Sequence, residues 1–132
     1  MPNQGLGQSI KPNHLSLGKP TAEDAEKMVH KMLNSPDRPR AIFAYSDIMA
    51  LGVLQAAKQL KLRVPEDVAV MGFDDIEVSE YVGLSTVSQS LLESGRIAAD
   101  LLIDMIQEPN RPHQKISLYP KIIERDTTSG IL

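Results

Sequence analysis

The sequence has no cysteine among its 132 residues. A disulfide framework, a cysteine zinc site and an iron–sulfur cluster are therefore excluded. The same absence fits a reducing compartment. Histidines are few and scattered: His14, His30 and His113 have no second ligand three or four positions away, so no metal centre is expected. No cluster of lysine and arginine stands out and the net charge is −3, whereas a nucleic-acid-binding face is basic. No apolar run reaches the roughly 18 residues that a membrane span needs. The opening MPNQGLGQSIKPN lacks the apolar centre of a secretion signal. Catalytic signatures are missing as well: no Walker lysine loop, no serine nucleophile elbow, no His-Glu-x-x-His. Gly5-Leu6-Gly7 is too short for a dinucleotide fingerprint.

What is present reads as one globular domain. Hydrophobic residues make up 42% and charged residues 23%, and the length suits a chain that buries about two-thirds of its unfolded surface. Residues 1–16 are polar and rich in Gly, Pro and Asn, which predicts a flexible or irregular segment, with Leu15-Ser16-Leu17 as a possible short strand. Residues 17–132 carry the ordered pattern. Thr21 is a good N-cap, followed by Glu23 and Asp24 in the first turn. Ala25, Met28, Val29, Met32 and Leu33 then form one apolar helical stripe.

Ala41–Tyr45 and Val68–Phe73 are short, continuous apolar runs, the pattern of strands covered on both faces. A helix capped by Ser46 or Asp47 lies between them and is apolar around most of its surface, which predicts a second covered side bearing Met49 and Val53, such as a partner subunit. Leu84–Val87 is a candidate third strand. Ser90 and Glu93 have capping-box spacing before a helix that runs to about Gln107. Ile116–Leu118 and Lys121–Glu124 read as further short strands, and the tail from Arg125 as loop. Strands alternating with helices predict an α/β fold, a three-layer α/β/α sandwich on a mainly parallel sheet.

Both central strands end in acid: Ser46-Asp47 after the first, Asp74-Asp75 after the second. Ligands of open parallel sheets bind at the carboxyl ends of the strands. Capping explains much of Asp47. It explains less of Asp74, because no clear amphipathic helix follows at once. A carboxyl at such an end can accept hydrogen bonds from two sugar hydroxyls, or from a base or ammonium donor. Three carboxyls on one rim also fit a Mg²⁺-dependent enzyme.

The stretches AIFAYSDIMALGVLQAAKQLKLRVPEDVAVMGFDDIEVSEY and LSTVSQSLLESGRIAADLLIDMI resemble the LacI/GalR (lactose-repressor) family of bacterial transcription regulators. The likeness covers about residues 17–129. It implies the C-terminal part of a periplasmic-binding-protein-like effector domain, partial, with one subdomain. It implies a cytoplasmic regulator that binds a sugar or related metabolite between two subdomains, needs no cofactor, and controls DNA through a helix-turn-helix outside this sequence. A periplasmic sugar-binding transport protein is the alternative with the same fold. The family pattern puts Ser46, Asp74 and Gln89 against the ligand, with Asp47 adjacent and Pro20 as an apolar wall. It also assigns helix 91–107 to the other subdomain. Leu91, Leu101, Leu102 and Met105 are then expected to need cover, which predicts a homodimer.

Overall fold

The computed structural model describes residues 9–130. The expectation for residues 1–8 lies outside that range. A single 3₁₀ turn, Pro12–His14, opens the described chain. Lys11 and His14 anchor it to the turn after the first helix. The Lys11 Nζ donates to Asp37 at 2.6 Å, and His14 Nε2 lies 2.6 Å from the Asp37 carbonyl. Leu15–Leu17 forms no ladder among the described residues, although Leu15 is extended.

Helix α1, Ala22–Leu33, starts where Thr21 accepts from the Asp24 N–H at 3.2 Å, and buries Ala25, Val29 and Leu33. Strand β1, Ala41–Phe43, pairs in parallel with β2, Ala69–Met71. Helix α2, Asp47–Gln59, joins them, with the Ser46 hydroxyl accepting from the Met49 N–H at 3.3 Å. A short helix α3, Glu77–Tyr81, follows β2. It interrupts a region that reads as plain loop in the sequence. Strand β3, Thr86–Ser88, pairs antiparallel with β4, Lys121–Ile123. Parallel bridges Met71–Ser85 and Asp74–Ser88 join the two pairs into one run, β1-β2-β3-β4. Ile116–Leu118 is not a strand.

Val29 and Leu33 from α1 meet Val53, Ala56 and Ala57 from α2, and both helices close over Ala44, Val68, Val70 and Leu84 of the sheet. This arrangement explains the all-round apolar character of α2. One side faces α1 and the other faces the sheet, so no partner subunit is needed there. Val53 is 2% exposed and belongs to the core, and Met49 packs against it, which corrects their assignment to an interface. A Cβ on Gly52 would strike the Ala22 carbonyl, so the helices touch backbone to backbone. Gly52→Ala gains helix propensity but forces α1 outward, and we expect a net loss of about 1–3 kcal/mol in urea unfolding.

The turn into β2 is held by Arg63, whose side chain and backbone N–H both donate to Asp67. The side-chain hydrogen bond from Arg63 is the main reason that the Asp67 carboxyl falls from 3.8 to about 2. A lowered folded-state pKa gives stability that is complete above the unfolded value and drains as pH falls through about 2. An NMR titration of the Asp67 carboxyl should show that midpoint, and Arg63→Ala should return it toward the ordinary value.

Helix α4, Leu91–Gln107, differs from the others because none of its residues is buried. The capping box expected at its start does not form. Ser90 sits at φ 53 and makes no side-chain cap, while Glu93 accepts from Arg96 at 2.6 Å. Arg96 also reaches Asp100 at 3.0 Å, so the polar stripe is an ion-paired ridge. The tail carries a 3₁₀ turn, Asp126–Thr128, with Thr127 and Thr128 buried. The Thr127 hydroxyl donates to the Val70 carbonyl at 2.7 Å and accepts from the Ser85 N–H at 2.8 Å, stitching β2 to β3.

Candidate functional site

The carboxyl ends of β1, β2 and β3 form one rim. Asp74 lies on it just past β2, its N–H donating to the Val87 carbonyl at 2.9 Å. Gln89, just past β3, donates its Nε2 to Asp74 Oδ1 at 2.6 Å. Both side chains are half-buried. Among the described residues, the Asp74 carboxyl accepts only that one side-chain bond and Oδ2 is left for another donor. Its backbone is strained: Asp74 has φ 112 and Asp75 has φ 57. Non-glycine residues in this region cost about 1–3 kcal/mol each and gather at functional sites. Ser46, half-buried, stands on the neighbouring strand end with its hydroxyl committed to the α2 cap.

The other two carboxyls leave the rim. Asp47 is fully buried. It accepts from Thr86 Oγ1 at 2.6 Å, from Ser79 Oγ at 2.6 Å and from the Ile76 N–H at 3.0 Å. Neither the ligand role nor the simple cap expected for it matches this. Ser46 is the cap, and Asp47 is an internal staple between α2, α3 and β3. Gly72 makes room for it, because a Cβ there would collide with Asp47 Oδ1. Asp75 is neutralised by Arg125, whose Nη2 donates to Oδ1 at 2.8 Å. The same guanidinium donates Nη1 to the Leu84 carbonyl at 2.8 Å. Arg125 escapes sequence reasoning, since it lies 50 residues from Asp75 in a stretch that reads as loop.

The three acids therefore do not converge, and no group of three potential metal ligands occurs among the described residues. The Mg²⁺ reading of the acidic rim loses its geometric basis. Pro20 is exposed, just ahead of α1. The structure thus brings together Asp74 and Gln89, leaves Ser46 nearby, and buries Asp47 inside the fold.

Residues 7–128 match the family model for the periplasmic binding protein-like domain. The chain belongs to that family. Among curated members, it is similar to the ribose operon repressor of Escherichia coli (strain K12), 41% identical over 74% of this chain and 30% of the repressor. Two solved LacI-family regulators share the fold. One, from Chloroflexus aggregans, superposes with a TM-score of 0.84 at 32% identity over 94% of this chain and 46% of its own. Another, from Arthrobacter sp. FB24 in complex with lactose, gives 0.75 at 34% over 83% and 42%. These relatives of the periplasmic binding protein-like chain are transcription regulators, not transport proteins or enzymes, so the LacI/GalR resemblance is upheld. The chain spans less than half the length of each. No helix among the described residues is long and apolar enough to cross a membrane.

Proposed function

We propose that this chain is the effector-sensing part of a LacI-type transcription regulator. It binds a sugar or related small metabolite at the rim of Asp74 and Gln89, with Ser46 beside them, and the binding modulates a DNA-binding segment outside these residues. The observation that carries this reading is Asp74: a strained, half-exposed carboxyl at a strand end, held by Gln89 and with Oδ2 unused. A sugar offers adjacent hydroxyls, and each can donate to such an oxygen. One relative is named for the ribose operon and another is solved in complex with lactose, so both sugars are the first probes. The protein works in the cytoplasm, where its DNA lies, and carries no catalytic role. Isothermal titration with ribose and lactose tests the proposal. Saturable binding to either supports it, and heats of dilution alone for both count against it.

The same reading includes a homodimer through α4. Its apolar stripe is open: Leu92 is 91% exposed and Ile106 is 70% exposed. Leu91, Leu102 and Met105 are also exposed, whereas Leu101 is half-buried against the segment after the helix. Covering each such side chain contributes roughly 1.5–3 kcal/mol. Replacing Leu92, Leu102 and Ile106 together by Glu should convert a dimer to a monomer in light scattering without loss of helical circular dichroism. A wild-type chain that is already monomeric removes the dimer.

A further inference from the structure

Asp74 keeps its place on the rim at a conformational cost, and the next residue shares that cost: φ is 112 at Asp74 and 57 at Asp75. Residues at such angles persist only where their surroundings over-determine them. Backbone N–H groups supply part of the hold. Asp74 donates to the Val87 carbonyl at 2.9 Å, Asp75 to Thr86 Oγ1 at 3.3 Å, and Ile76 to Asp47 Oδ2 at 3.0 Å. The bond at Asp75 is the longest of these. A return of Asp75 to negative φ turns the peptide that joins it to Asp74, so the position of the Asp74 carboxyl depends on what fixes its neighbour.

The Asp75 side chain supplies the rest. Its Oδ1 accepts from Arg125 Nη2 at 2.8 Å. The two side chains are only 20% and 25% exposed, so water and salt screen this pair less than the ion pairs along α4. Arg125 is itself fixed. Its Nη1 donates to the Leu84 carbonyl, its backbone N–H donates to Ser85 Oγ at 2.8 Å, and its carbonyl accepts from that hydroxyl at 3.0 Å. A planar guanidinium bonded through two nitrogens has a set direction, which a lysine ammonium lacks. These anchors lie at the start of β3, whereas Gln89 lies past its end. Arg125 therefore acts on the rim through Asp75.

We propose that Arg125 is a positioning residue for the effector site: its pairing with Asp75 holds the strained Asp74–Asp75 turn and so keeps the Asp74 carboxyl pre-set for a ligand. A ligand that meets a pre-set carboxyl loses less free energy to ordering when it binds. The effect on affinity rests on the sugar-binding reading. The hold on the turn rests on the geometry alone.

The test compares the wild-type chain with Arg125→Met, which removes both guanidinium bonds, and Arg125→Lys, which keeps a charge for Asp75. Hydrogen exchange is followed at single amides. In Arg125→Met the Asp74 and Asp75 amides should exchange about tenfold faster relative to Val53 in the core. Calorimetric affinity for ribose or lactose should fall by about tenfold. Arg125→Lys should fall between the two. If Arg125→Met does not fold, Asp75→Asn weakens the pair from the other side and should show the same changes in smaller degree. Equal acceleration at Val53 and at the rim would make Arg125 a general stabiliser and overturn the proposal. Unchanged rim exchange, or wild-type affinity on a loosened rim, overturns it too. A wild-type chain that binds neither sugar removes the sugar reading alone, and the exchange pattern still decides whether Arg125 holds the turn.

Discussion

Replacing Asp47 by Ala is expected to lower the stability of the chain by about 3–5 kcal/mol, with unfolding in the cold as the extreme outcome. The reason lies in what remains. Ile76 N–H, Ser79 hydroxyl and Thr86 hydroxyl all point at the position of the lost carboxyl, and the site is closed to water. Each stranded buried donor costs roughly 1–3 kcal/mol, and the values do not add fully. Asp47→Asn keeps the shape and one acceptor, so its loss should be smaller. Urea unfolding followed by circular dichroism measures both. A loss below about 1 kcal/mol for Asp47→Ala would show that the staple is not needed. Thr86→Val should act in the same direction, because the Thr86 hydroxyl also accepts from the Asp75 N–H at 3.3 Å and so links Asp47 to the loop that carries the rim.

Asp74→Gly should separate binding from stability. Glycine accepts φ 112 without a Cβ penalty, so part of the strain is released. Removal of the carboxyl also frees Gln89. We expect folding stability to stay level or rise, while affinity for the effector falls by about 2 kcal/mol, roughly thirtyfold. Calorimetric titration and thermal melting of the same two proteins give both numbers. Equal affinity for the two would take Asp74 out of the site. A parallel fall in stability and binding would make Asp74 a structural residue.

The fold was largely legible because its main elements carry local signals. Thr21 and Ser46 cap where their spacing says, and the apolar runs Ala41–Tyr45 and Val68–Phe73 contain β1 and β2, although Phe43 and Tyr45 are exposed. Short or long-range features were less legible. Helix α3 spans five residues, too few for a 3.6-residue period to emerge. The Ser90–Glu93 pattern fails as a cap because Ser90 adopts φ 53 and Arg96 takes the Glu93 carboxyl. At the site, adjacency in sequence concealed opposite fates. Ser46 and Asp47 are neighbours, yet only the first stays near the rim. Asp74 and Asp75 are neighbours, yet only the second meets Arg125. The partners that decide these fates lie 29, 32, 39 and 50 residues away, and no spacing rule reaches them.

The most direct measurement is a nitrogen-15 correlation spectrum of the chain titrated with ribose and then with lactose. The account predicts saturable shifts centred on the amides of Asp74, Asp75, Ser88 and Gln89, absent in Asp74→Gly. Shifts centred instead on α4, or a spectrum unmoved by either sugar, would contradict a sugar-sensing rim.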